Sequence, residues 1–149
     1  MAGIKKILYA TDYSKASNRA LAEAVKLAKQ NRAELLVVHV IEPAPFVAGE
    51  EEFGSAEMYT KLEDLAKQEA QSSMSKLIAR LKKLKVKAQG LLFKGSVHDQ
   101  IVQVAKSKKA DMIVIGTHGR TGLSKLFMGS VAGKVVSSAN CPVLTVRGK

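Results

Sequence analysis

Three glycines and a serine in the last third of the chain have a spacing that suits one chemistry. Gly116 and Gly119 form a GxxG pair, nine residues follow, and then come Gly129 and Ser130. Gly116 directly follows the apolar run DMIVI, so the pair stands where a buried strand should end. Without side chains at Gly116 and Gly119, backbone N–H groups can approach an anion closely. Gly129 and Ser130 mark the start of a helix, whose unpaired N–H groups and positive dipole end attract negative charge. The Ser130 hydroxyl can cap that helix or donate to a phosphate oxygen. The chemistry implied is phosphate binding.

Other phosphate and catalytic motifs fail on spacing. GSVAGKV, starting at Gly129, is one residue short of a Walker A loop and lacks its final hydroxyl. No GxGxxG follows the first apolar run, which leads into TDYS without a glycine. Ser14, His118 and Asp12 are the raw materials of a hydrolytic triad, but no GxSxG elbow presents the serine. No Cys/His cluster or carboxylate pair has the spacing of a protein metal cage, and His39 and His98 stand alone, one in an apolar strand and one in the first turn of a helix. The single cysteine, Cys141, precedes Pro142 and the apolar VLTV, as a small packing residue would.

Positioning the glycines requires strands and helices in alternation. IKKILYA begins as a strand, and KASNRALAEAVKLAKQNR follows as a helix with Leu21, Ala24, Val25 and Ala28 on one stripe. AELLVVHVIE has the continuous apolar pattern of a strand buried on both faces, and PAPFVAGEEEFGSAE breaks it as the longest loop. A long helix is predicted from about Met58 to Leu84. Its single apolar face runs from Leu62, Leu65 and Ala66 through Ala70 and Met74 to Leu77, Ile78 and Leu81. VKAQGLLFK is a third strand. Ser96 and Asp99 stand at capping-box spacing before a helix carrying Ile101, Val104 and Ala105. DMIVIG is the fourth strand, SVAGKVVSSAN a helix with Val131, Ala132, Val135, Val136 and Ala139, and CPVLTVRG the fifth strand. The expected fold is one α/β domain over residues 1–149, a parallel sheet with helices on both faces and right-handed crossovers. Ligands of such sheets bind beyond the carboxyl ends of the strands, where the strand order reverses.

The formal net charge of +11 is unevenly distributed. Residues 1–69 carry nine basic and eleven acidic side chains, whereas residues 70–149 carry fifteen basic ones against Asp99 and Asp111. Much of the excess lies in KLIARLKKLKVK, where Lys76, Arg80, Lys83 and Lys87 recur at helical spacing opposite leucine and isoleucine. That is the pattern of a solvated helix face, and no aromatic platform interleaves the lysines, so nucleic acid is not the expected partner. An anion-attracting field is expected all the same. The first residues lack a signal sequence, and no run reaches membrane length, so a cytoplasmic protein without membrane contact is expected.

With its GxxG, nine residues and Gly-Ser, the chain resembles the universal stress protein family. The likeness extends from ILYATDYSKAS through LLVVHVIEP to the stretch GSVHDQIV…NCPVLTV. The resemblance implies a Rossmann-like five-stranded parallel sheet in the order 3-2-1-4-5, with ATP between strands 1 and 4. It implies that Asp12, beside Ala10 and Thr11, meets ribose hydroxyls or a phosphate-bound metal, and that Val40 offers backbone groups to the adenine edge. Gly116, Thr117, His118, Gly119 and Arg120 would flank ribose and phosphates, and Gly129, Ser130 and Val131 would present a helix N-terminus to the phosphates. Mg²⁺ or Mn²⁺ would be held through the phosphates and water. Where the family often has proline before Thr-Asp, this chain has Ala10. The implied function is that of a nucleotide-dependent regulatory protein in stress response, acting on a protein client. The alternatives are a slow ATP hydrolase or phosphoryl-transfer enzyme, and a basic adaptor for nucleic acid or protein. A homodimer through the C-terminal strand, Val143 to Val146, is also implied, because that strand would be an apolar sheet edge.

Overall fold

The computed structural model describes residues 3–43, 56–118 and 128–148. Its elements alternate as β1 (Lys6–Ala10), α1 (Lys15–Asn31), β2 (Glu34–Ile41), α2 (Ala56–Lys83), β3 (Ala88–Lys94), α3 (Val97–Ser107), β4 (Met112–Gly116), α4 (Ser130–Ser138) and β5 (Val143–Val146). The sheet order is β3-β2-β1-β4-β5, and every pairing is parallel. The alternation of elements pointed to the parallel sheet, and the family resemblance implied its strand order.

β1 is the central strand, with Tyr9 set between Val37 of β2 and Val114 of β4. Ile7, Leu8 and Tyr9 have no solvent exposure, which is why KILYA lacks polar alternation. Successive side chains leave a strand on opposite faces. Ile7, Tyr9, Leu35 and Val37 therefore pack with Ala20, Ala24 and Met74 from α1 and α2, while Leu8, Val38 and Ile113 pack with Ile101, Val104 and Val135 from α3 and α4. Cys141 is partly buried beside the second of these clusters, where burial, and then the charge of Asp111, push its thiol pKa up, as suits an inert packing residue.

Helices α1, α2 and α3 end in the same way. Ala33 N–H donates to Ala28 O at 2.9 Å and Arg32 N–H to Lys29 O at 3.4 Å. Val86 and Lys85 repeat the pair on Leu81 and Lys82, and Ala110 and Lys109 repeat it on Ala105 and Lys106. This is the Schellman closure, whose turn residue is left-handed and is commonly glycine or asparagine. Here Arg32 (φ 53), Lys85 (φ 61) and Lys109 (φ 57) hold those positions.

Some elements differ from expectation. The 28 residues of α2 extend about 42 Å, whereas the seven residues of β3 extend about 23 Å. The helix overhangs the sheet. Ala70, Met74 and Leu81 are buried, but Leu62 and Leu65, expected on the same buried face, are 56% and 60% exposed, because the described sheet ends before reaching them. The helix stops at Lys83, so Leu84 and Lys87 belong to the turn before β3. Val136 is largely exposed instead of completing the buried stripe of α4. Ser96 does precede α3, but its hydroxyl makes no cap bond and lies 3.3 Å from His98 Nδ1.

Asp111, just before β4, ties the two central strands together at their amino ends. Its Oδ2 accepts from the backbone N–H of Lys5 at 2.8 Å and of Lys6 at 2.9 Å. Those bonds, that from Lys5 foremost, hold its carboxyl below the usual value of 3.8. Because the folded pKa is depressed, the stabilisation is complete above the unfolded value and disappears as pH falls through the lower folded one. At this exposed site Asp111→Ala is expected to cost about 1 kcal/mol at neutral pH. Urea unfolding at neutral pH should show that difference, and the same measurement in acid should show it gone.

Candidate functional site

From β1 the chain crosses over α1 to β2 on one side, and from β4 it crosses over α4 to β5 on the other, so a crevice opens at the carboxyl ends of β1 and β4. It is a cleft of about 490 Å³. Ala10 enters it from the end of β1, Thr11 and Asp12 from just after, and Val40 from β2. Gly116, Thr117 and His118 enter from β4, and Gly129, Ser130 and Val131 from the start of α4. Residues singled out from the sequence are thus brought together at one place. Gly119 and Arg120 lie outside the described residues.

A buried hydroxyl network fixes the turn after β1. Tyr9 O–H donates to Ser17 O at 2.6 Å, and Thr11 Oγ1 and Ser17 Oγ are 2.6 Å apart. Thr11 Oγ1 also accepts from Tyr13 N–H at 2.9 Å. Buried hydroxyls are costly unless bonded and stiffen the chain when they are. Among the described residues no buried side-chain N or O lacks a partner. Burial raises the Tyr9 pKa, and burial, then the neighbouring Tyr9, pushes Tyr13 up to about 12, so both phenols stay neutral.

The turn itself is tight, with Tyr13 at φ 61. Asp12 Oδ1 accepts from Ser14 N–H at 2.9 Å, and Ser14 Oγ accepts from Ser17 N–H at 3.2 Å. Ser14 is therefore the cap of α1, while Asp12 braces the turn that holds it at the cleft. The Tyr13 ring lies against His39 with centroids 4.6 Å apart. His39 Nδ1 is 2.8 Å from Thr11 O. A carbonyl only accepts, so Nδ1 carries the hydrogen of this bond.

A clasp forms the other wall. Thr117 N–H donates to Val146 O at 2.9 Å, and Gly129 N–H donates to Thr117 O at 2.6 Å. A Cβ on Gly129 would stand 3.0 Å from that same oxygen, so the missing side chain serves the clasp as well as the approach of a ligand. The Gly129 N–H is committed to Thr117. The first bond within α4 runs from Gly133 N–H to Gly129 O at 3.0 Å, which leaves Ser130, Val131 and Ala132 at the positions where a helix has no internal partner for its N–H groups. All three line the cleft. No acidic side chain stands in the first turn of α4, so that turn does not neutralise its own positive end.

The model of the Universal stress protein family matches residues 3–147. The chain belongs to the universal stress protein family. This universal stress protein is 38% identical to Universal stress protein MJ0531 of Methanocaldococcus jannaschii over 143 residues, 96% of this chain and 82% of the other. It matches the solved structure of MJ0577 from the same organism with a TM-score of 0.86 at 30% identity, covering 99% of each chain. It matches the universal stress protein of Archaeoglobus fulgidus in complex with dAMP with a TM-score of 0.66 at 25% identity, covering 98% of this chain and 99% of that one.

Several residues of this universal stress protein's cleft were not foreseen. Ala66, Glu69 and Ser73 come from α2, Val97 and Ile101 from α3, His39 from β2 and Ser17 from the first turn of α1. The α2 residues belong to no motif. Their only sequence signal is that they follow Leu62 at helical spacing on one side of α2. His39 has a clearer signal in hindsight: it is the one ring nitrogen donor in a run of apolar side chains at the carboxyl end of a strand.

Proposed function

We propose that this universal stress protein binds an adenine nucleotide, foremost ATP, in the cleft between β1 and β4 and acts as a nucleotide-dependent regulator in stress response. One observation carries the reading: the rigid Asp12 turn, the Thr117–Gly129 clasp and the start of α4 meet around one cleft of about 490 Å³, a volume suited to a small ligand. The relative solved in complex with dAMP supports it. Asp12 accepts from the ribose hydroxyls, and Val40 offers its backbone to the adenine edge. Gly116, Thr117 and His118, with Gly119 and Arg120 of the following segment, flank ribose and phosphates. Ser130 and Val131 offer N–H groups to the phosphates. Among the described residues no group of His, Cys, Asp and Glu is placed to hold a metal ion, so Mg²⁺ or Mn²⁺ comes with the phosphates and water.

Bound nucleotide is the signal in this reading. ATP bound against Thr117, His118 and the start of α4 alters a surface that a protein client reads, in a cytoplasmic homodimer. Mass spectrometry of gently purified protein tests it by identifying a co-purifying adenine nucleotide, and an empty protein that also fails to take up ATP would remove the proposal.

Rapid phosphoryl transfer usually needs metal-binding carboxylates and a group that positions the nucleophile. Asp12, Glu42 and Glu69 are the carboxylates that line the cleft, Asp12 is already committed to the turn, and no group among the described residues is placed to hold a metal ion. Turnover of ATP is therefore expected far below the enzyme median of about 10 per second. A coupled assay for ADP checks this. Fast, metal-dependent turnover lost in Asp12→Ala would replace the regulatory reading with an enzymatic one.

A further inference from the structure

The end of the sheet opposite the cleft carries most of the chain's excess positive charge. All strands are parallel, so the helix-to-strand turns must gather at the amino ends of the strands. Lys29, Lys82, Lys83 and Lys106 are at or near the last turns of α1, α2 and α3. Arg32, Lys85, Lys87, Lys108 and Lys109 lie in the turns that follow, and Lys5 and Lys6 enter β1 beside them. Except for the half-buried Lys6, all of these are exposed. Among the described residues the acids at this end are Glu34, 3.4 Å from Lys87, and Asp111, whose Oδ2 takes backbone N–H groups. The sequence suggested one solvated helix face. The fold instead combines cations from four separate segments, with Lys87 in a turn.

Helix dipoles account for part of this, since cations in a last turn offset the negative helix end. They favour Arg32, Lys85 and Lys109 as well, but do not call for a strained residue there. Each occupies the left-handed position of a Schellman closure, where glycine would be relaxed and a Cβ is strained. At three equivalent places the chain keeps a cation in spite of that strain.

We propose that this end of the molecule is a docking surface for the backbone of double-stranded DNA, bound without sequence preference. The α2–β3 and α3–β4 turns are separated by the strand steps β3-β2-β1-β4, about 14 Å in all. That is close to the major-groove width of about 12 Å, so the two turns meet the phosphate ridges on either side of the groove. Almost every cation here is lysine, which protein–protein interface cores avoid. The three turns, residues 32–33, 84–87 and 108–111, contain no aromatic residue, so the stacking that single strands require is missing. Leu84, 41% exposed, is the large apolar side chain among them, too little for a membrane anchor. The proposal does not depend on the cleft's holding a nucleotide.

The experiment is fluorescence anisotropy of a labelled duplex of about 20 base pairs, titrated with the full protein between about 50 and 200 mM salt. The affinity should fall about a thousandfold or more across that range, as it does for six or so phosphate contacts. The combined Arg32→Gly, Lys85→Gly, Lys109→Gly protein should melt no lower than the parent, because glycine relieves the left-handed turns, yet its log–log salt slope should be shallower by about 2 to 3. The corresponding glutamine triple, with the side-chain bulk kept, should lose the same slope. Excess ATP should leave duplex binding unchanged. Four results would overturn the proposal: absence of duplex binding at low salt, an unaltered slope in both folded triples, competition by ATP, or tighter binding to polyglutamate or to anionic phosphatidylserine vesicles than to the duplex.

Discussion

Gly129→Val is expected to abolish ATP binding in a protein that still folds. Gly129 has φ −60 and ψ 158, extended backbone that any residue adopts, so the substitution adds no backbone strain. The damage comes from the side chain. A Cβ alone would lie 3.0 Å from Thr117 O, and the two methyl groups of valine would spread the clasp that brings β4's end to α4 and crowd the Ser130 and Val131 N–H groups. Losing the helix N-terminus as a phosphate site should weaken ATP at least about 100-fold, or about 2.7 kcal/mol. Calorimetry measures the affinity, and far-ultraviolet circular dichroism verifies the fold. Gly133→Ala is the control, since an added Cβ there meets nothing within 4 Å. If folded Gly129→Val protein binds ATP as the parent does, the phosphates do not lie at α4.

The second large effect is expected at the sheet edge, where Thr145→Pro should turn a homodimer into a monomer. Among the described residues β5 pairs only with β4, and Val143–Val146 are all half-buried. The carbonyls of Pro142 and Val146 accept from Ile113 and Thr117. By the alternation of a strand, the N–H groups of Val143 and Thr145 then face away from β4, towards open edge. A second copy set antiparallel across a two-fold axis would satisfy both. Gly148 runs close to Ala16, with 3.1 Å for an added Cβ, so the described part of the tail turns towards α1 and does not shield the edge. Proline at 145 removes an outward donor and spares the ladder to β4. Leu144→Lys is a poorer choice, because Leu144 packs against the core beneath α1 and α2. Sedimentation velocity decides the matter. A monomeric parent, or a Thr145→Pro dimer, would exclude the strand-5 interface.

The parts of this molecule that were legible in its sequence are those where one residue type has one physical use. Short β-rich apolar runs such as KILYA and ELLVVHVI have the pattern of strands covered on both faces, and the alternation with helices then points to a parallel sheet. The glycines at 116 and 129 and the serine at 130 marked the end of β4 and the start of α4, which now border one cleft. Whatever depends on distance between segments was hidden. Leu62 and Leu65 have the periodicity of core residues, and only the comparison of α2's length with that of β3 explains their exposure. The Tyr9–Thr11–Ser17 network joins hydroxyls that look like solvent-facing polar residues in sequence. The left-handed arginine and lysines carry no signal, because the usual marker of a Schellman closure is the glycine they replace.

β1 sits at the centre of the sheet, and this has a consequence for how the chain reaches its native state. Its pairing with β2 is local, across a single helix, but its pairing with β4 brings together residues 105 apart, as between Lys6 and Asp111. Closing a loop of that size costs about 4 kcal/mol of chain entropy before any contact is gained. Such non-local pairing places folding in the millisecond range or slower. A β1–α1–β2 unit can form first, and until β4 arrives it displays the open edge of Ile7, Leu8 and Tyr9. The strand best protected in the native protein is thus the one most open to mispairing with another chain during folding.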